Sequence, residues 1–127
     1  MRLTINEHGP EPIFQQIVDQ LTRLTAAGQL APGDALPSIR ELAVRLRVNP
    51  NTVARSYRTL EDMGVIAMKR GIGAFVADPV PEDQLNRFRD TMIAEKIKDL
   101  VLTAHQLRVD VDNLLDQVKT AYEGGVA

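Results

Sequence analysis

The sequence has no cysteine, which excludes disulfides, thiolate metal sites and thiol catalysis. The absence fits a reducing compartment. Only five residues are aromatic, three Phe and two Tyr. No apolar run approaches the roughly 18 residues of a membrane-spanning helix. The opening segment, MRLTINEHGPEP, lacks the apolar stretch of a signal peptide. The chain therefore reads as soluble and cytoplasmic, with no membrane partner. Histidine is scarce: His8 and His105 lie in different segments without tight ligand spacing to Asp110 or Asp112, so no metal site is expected. No serine has a base and an orienting group beside it. Neither catalysis nor a cofactor is expected.

What is present is enough for a core. Of 127 residues, 44% are hydrophobic, which suits one modest domain or a small domain with an appendage. The net charge of −2 hides an uneven distribution. Residues 33–76 carry seven basic side chains (Arg40, Arg45, Arg47, Arg55, Arg58, Lys69, Arg70) against four acidic ones, or +3. Residues 77–127 carry six basic against ten acidic, or −4. A basic middle beside an acidic tail points to a local anion-binding surface.

Apolar periodicity predicts a first amphipathic helix over residues 12–27, with Ile13, Phe14, Ile17, Val18, Leu21 and Leu24 on its inner stripe and Gly28 as its stop. The turn-rich APGDALP follows. A second helix begins behind Ser38, which forms an S-x-x-E capping box with Glu41. Arg47, Val48 and Asn49 make a short turn. The third helix opens VNPNTVARSY and runs to about Met63, with Asn49 as N-cap and Pro50 at the first helical position, where its missing N–H costs nothing. Val53, Tyr57, Leu60 and Met63 form its inner face and leave Asn51, Thr52, Arg55 and Arg58 or Thr59 outward. Strand candidates VIAMKR (65–70) and AFVA (74–77) flank the turn Gly71-Ile72-Gly73, and DPVPE (78–82) is a linker. The glycines at 71 and 73 serve the turn; Val76 stands where a dinucleotide fingerprint needs its third glycine.

Beyond the linker two helices are expected. One carries Leu85, Phe88, Met92, Ile93, Ile97, Leu100, Val101 and Ala104, and Leu107 follows. The next starts behind Asp110 and carries Val111, Leu114, Leu115, Val118 and Tyr122. Such a pair cannot bury much alone, so it must pack on the first domain or on a second copy of the chain. The expected fold class is mainly α with a small β-hairpin wing. Residues 1–77 form a winged helix-turn-helix domain and residues 78–127 a two-helix dimerisation tail.

In that architecture the second helix of the pair enters the major groove. Asn can pair with adenine, Arg with guanine or phosphate, and a Thr methyl can meet that of thymine. Double-stranded DNA is the expected partner; a protein-binding winged helix with an incidental basic face is the rival. The run LPSIRELAVRLRVNPNTVARSYRTLEDMGVIAMKRGIGAFV (36–76) resembles the DNA-binding domain of the GntR family of bacterial transcription regulators. The short two-helix tail is similar to that of the YtrA-type subgroup. The resemblance implies a homodimeric repressor reading an inverted-repeat operator. By position it implies DNA contacts from Ser38 and Arg40 at the start of the second helix, and from Asn49, Asn51, Thr52, Arg55 and Arg58 on the third. Lys69, Arg70 and Gly71 would contact DNA from the wing. The apolar positions of the tail, Leu85, Phe88, Met92, Ile97, Leu100, Val101, Leu107, Val111, Leu114, Leu115 and Val118, are then the expected dimerisation residues. Other family branches often carry basic residues where Pro50 and Ala54 stand, so the operator sequence does not transfer. An unknown small-molecule effector would lodge between tail and head or at the dimer interface.

Overall fold

In the computed structural model, which describes residues 1–125, eight elements follow in order. They are α1 (Ile13–Ala26), β1 (Ala35–Leu36), α2 (Ile39–Leu46), α3 (Pro50–Asp62), β2 (Ile66–Lys69), β3 (Gly73–Val76), α4 (Glu82–Gln106) and α5 (Val111–Glu123). Two compact units result, Met1–Arg89 and the segment from Asp90 onward.

In the first unit α1, α2 and α3 enclose a core of Ile17, Val18, Leu21, Leu42, Ala43, Val53, Tyr57 and Leu60, joined by Val65, just before β2, and by Ile66, Ala74 and Val76 from the sheet. Burying each large apolar side chain contributes about 1.5–3 kcal/mol before the entropy of ordering the chain is subtracted. Polar groups inside are satisfied locally: the Thr22 and Thr25 hydroxyls donate to Val18 O and Leu21 O at 2.7 and 2.9 Å. The extended segment before α1 is held by two glutamines. Gln20 bonds both backbone polar groups of Thr4, and Gln16 both of Asn6. The spacing explains the fit, because four helical residues rise about 6 Å and two extended residues about 6.6 Å. Leu3 and Ile5 then point the other way, onto the core.

The wing is a three-stranded antiparallel sheet in the order β1-β3-β2 rather than a bare hairpin. Within the expected turn APGDALP, Ala35 and Leu36 pair with Phe75 and Ala74. Two residues carry no readable periodicity, so only the neighbouring strand reveals them. Gly71 adopts φ +75° in the turn that the Ile72 N–H closes onto Lys69 O at 2.9 Å.

α4 belongs to both units. Leu85 is 1% exposed and thus buried within a single chain, which removes it from the expected self-association face. The Arg89 guanidinium donates to Ala26 O, the last residue of α1, at 2.7 Å. The first unit therefore runs past residue 77 into α4. From Met92 to Ile93 the apolar stripe of α4 shifts around the helix by one residue, about 100°. In the second unit Ala104 is buried, while Ile93, Ile97, Leu100 and Val101 stay exposed. α5 starts as expected behind Asp110, whose carboxylate accepts the Asn113 N–H at 2.8 Å. Among the described residues no helix is long and apolar enough to cross a membrane.

Candidate nucleic-acid interface

The geometry of α2 and α3 follows from their caps. Ser38 Oγ accepts the Glu41 N–H at 3.1 Å, and the Glu41 carboxylate accepts the Ser38 N–H at 3.3 Å. This is the capping box read from the sequence. It leaves the Ser38 hydroxyl proton free to donate outward. The box engages Glu41, and Asp34 accepts the Ala31 N–H at 2.8 Å. Arg40 stands exposed at the start of α2.

Between the helices Arg47 takes the left-handed conformation at φ 56°, and the Val48 N–H returns to Ala43 O at 3.0 Å. That closure turns the chain sharply into α3. Asn49 Oδ1 accepts the Asn51 N–H at 2.8 Å, so the cap uses its acceptor and leaves its amide group facing out. Pro50 is the first residue of α3, as expected.

α3 presents Asn51, Arg55 and Arg58 on one exposed face, at spacings of four and three residues. The opposite face buries Val53, Ser56, Tyr57 and Leu60. Thr52 is half-buried on the flank toward α1. Two contacts fix the presentation. The Ser56 hydroxyl lies 3.0 Å from both Phe14 O on α1 and Thr52 O on its own helix. The Tyr57 hydroxyl donates to Pro37 O, just before α2, at 2.7 Å. One hydroxyl therefore ties α3 to α1, and the other ties it to the cap of α2.

Burial pushes the Tyr57 phenol up from 10.0 to about 12, an effect that the Arg45 charge opposes and the Glu41 charge reinforces. In the unfolded chain the phenol ionises near pH 10, while in the folded chain it stays neutral to about 12. Its contribution is thus complete below pH 10 and falls away between 10 and 12. Tyr57→Phe is expected to cost about 0.5–1.5 kcal/mol at neutral pH and to flatten the alkaline loss of stability. Urea unfolding of both proteins at pH 8 and 11 checks this, since Tyr122 is common to the two.

The arginine and lysine side chains are not equally free. The Arg55 guanidinium carbon lies 3.6 Å from the centroid of the Phe14 ring on α1. On the wing the Lys69 ammonium lies 4.9 Å from the Phe75 ring, drawn back over the sheet. Arg70 and Gly71 stand exposed at the tip beside it. The sequence put Arg55 on the outward side of the third helix and Lys69 and Arg70 beside the wing turn, but neither ring contact was legible in it. Phe14 read as one more member of the α1 inner stripe.

The tail presents a different surface. Leu100, Leu114, Gln117, Val118, Ala121 and Tyr122 line a groove of about 450 Å³ between α4 and α5. Phe88, Met92 and Leu114 are half-buried, whereas Ile97, Leu100, Val101, Leu107, Val111, Leu115 and Val118 are exposed. Among the described residues no group of acidic and histidine side chains could hold a metal ion.

Comparison with known proteins sets this arrangement in a lineage. The sequence model of the bacterial regulatory proteins of the gntR family matches residues 13–76, from the start of α1 to the end of β3. The HTH-type transcriptional repressor YtrA of Bacillus subtilis is 37% identical over 117 residues, covering 92% of this chain and 89% of the relative. Among solved structures, a GntR family transcriptional regulator from Listeria monocytogenes superimposes with a TM-score of 0.72 at 26% identity, covering 91% of this chain and 98% of that one. YtrA from Sulfolobus acidocaldarius, a GntR-family transcription factor, covers 98% of this chain and 100% of its own at 29% identity, with a TM-score of 0.58. The helix pair, the wing and the matched sequence agree: this chain belongs to the gntR family of bacterial regulatory proteins.

Proposed function

We propose that the protein is a homodimeric transcriptional repressor that reads an inverted-repeat operator in double-stranded DNA. The segment from Asp90 onward provides its dimerisation surface. The observation that carries the reading is the outer face of α3. Asn51, Arg55 and Arg58 lie exposed on one side of a helix whose other side is locked to α1 and α2. A rigid helix with a polar face is what major-groove readout requires. Arg40, Ser38 and the amide of Asn49 flank it, and the wing brings Lys69, Arg70 and Gly71. Phosphate contacts from this basic surface position the protein, and base contacts from α3 specify the site. The repressor role follows the name of the Bacillus subtilis relative.

The exposed apolar face of the tail supports self-association. An apolar surface on this scale is uncommon on a monomer, and a two-fold pair would match a two-fold operator. Half-sites are then expected about one DNA turn apart, or a multiple of it.

Selection of bound duplexes from a random pool should return an inverted repeat. On the selected duplex, at fixed salt, Arg40→Ala and Arg55→Ala are each expected to weaken binding by about 1–3 kcal/mol if the lost contact was bidentate to a base. Both side chains are exposed, so both variants should fold; Arg40→Ala should unfold as wild type does, and Arg55→Ala should lose no more than the roughly 0.5–1 kcal/mol of its contact with the Phe14 ring. Unchanged affinity in both variants overturns the interface. A selected pool that binds no better than random DNA favours the protein-binding alternative.

A further inference from the structure

Two neighbours on α1 meet different surroundings. Ile13 packs on the apolar core, whereas the half-buried Phe14 ring carries the Arg55 guanidinium on its face at 3.6 Å. Phe14 is bound to α3 a second time, through its backbone carbonyl and the Ser56 hydroxyl at 3.0 Å. Ser56 is wholly buried, so the two helices are held in register at that point. A guanidinium stacked on a ring uses its flat face, and its N–H donors lie in the plane and remain available at the edge. Arg55 is thereby restrained before any ligand arrives, while Arg58, one turn on, is exposed and, among the described residues, has no aromatic ring beneath it.

We infer that Phe14 is a positioning residue for DNA binding: it holds the Arg55 guanidinium on the outer face of α3 so that its edge donors are preset for the operator. The inference rests on the proposed role of α3 in reading DNA. It gives α1, which lies outside the helix-turn-helix pair, a part in recognition. A long arginine loses rotamer freedom when it docks, and a side chain ordered in advance loses less.

The test has a DNA-free arm and a DNA arm. In the free protein, the Arg55 Nε–Hε resonance should be displaced by the ring current and rigid on the nanosecond scale. Phe14→Leu should abolish both signatures, and Phe14→Tyr should keep them. On the selected duplex Phe14→Leu should weaken binding about three- to tenfold, the scale of one ordered side chain, with Phe14→Tyr close to wild type. In an Arg55→Ala background, Phe14→Leu should change affinity less than about twofold, because the two residues act as one unit.

An Arg55 resonance as mobile and unshifted as that of Arg58 overturns the inference. So does an equal Phe14→Leu penalty with and without Arg55, which would mark Phe14 as packing alone. If Arg55→Ala binds the duplex as tightly as wild type while the ring-current signature stands, the DNA-contact reading of Arg55 has failed, and the role given to Phe14 falls with it. Thermal unfolding of each variant separates these outcomes from loss of fold.

Discussion

On the proposed homodimer, replacing Leu100 and Val118 together by lysine is expected to give a monomer and to lower affinity for the full operator about 10²- to 10⁴-fold. Both residues line the groove between α4 and α5 and are 41% and 45% exposed in the single chain. A lysine there keeps its ammonium in water and costs the monomer little. In a dimer the same positions would be closed off, and the two ammonium groups brought by each chain would lose their water in a groove lined mainly by apolar side chains. The DNA effect follows from valence rather than from any lost contact. When one recognition helix is seated, the second faces its half-site at a high effective concentration, and a monomer forfeits that gain. Binding to a duplex with one half-site should be unchanged, since both residues belong to the second unit and none of the proposed DNA contacts does. Sedimentation with paired titrations on one-site and two-site duplexes checks the prediction. A variant that stays dimeric, or that loses affinity equally on both duplexes, refutes the assignment of this face.

How far the sequence could foresee this molecule depended on the range of the interactions involved. Ser38, Glu41, Asn49 and Pro50 announce the starts of α2 and α3 because caps act over three residues or fewer, and each bond they imply is present. The core stripe Val53-Tyr57-Leu60 is likewise legible, because burial repeats with the helix. What was illegible depends on partners distant in the chain. β1 exists only because β3 lies beside it. Leu85 fits an apolar tail stripe equally well whether it faces its own head or another chain, and its burial decides that. Phe14 and Arg55, 41 positions apart, belong to different periodic patterns, one apolar and one polar. Nothing in either pattern says that the patterns touch. At the interface, then, residue types and faces could be read from the sequence, and the restraints on individual side chains could not.

Those restraints depend on a small core, so a single cavity should be felt throughout the head. Leu60→Ala is expected to destabilise the first unit by about 2–5 kcal/mol, the range for a fully buried leucine. Leu60 is 0% exposed and lies on the inner face of α3 with Val53 and Tyr57. Domains of this kind are stable by only about 5–15 kcal/mol in total, so the loss is a large fraction of the whole. Val44 supplies the contrast: at 77% exposure on α2, its replacement by alanine should alter stability by no more than about 0.5 kcal/mol. Far-UV dichroism would mix the head with the helices of the tail, so hydrogen exchange at the α3 amides is the sharper measurement. Exchange through global opening of the head should accelerate about 30- to 5,000-fold in Leu60→Ala and hardly at all in Val44→Ala. Protected α3 amides that exchange at the wild-type rate in Leu60→Ala would mean that α3 does not depend on this core. The rigid presentation of Asn51, Arg55 and Arg58, on which the DNA-reading proposal rests, would then need another source.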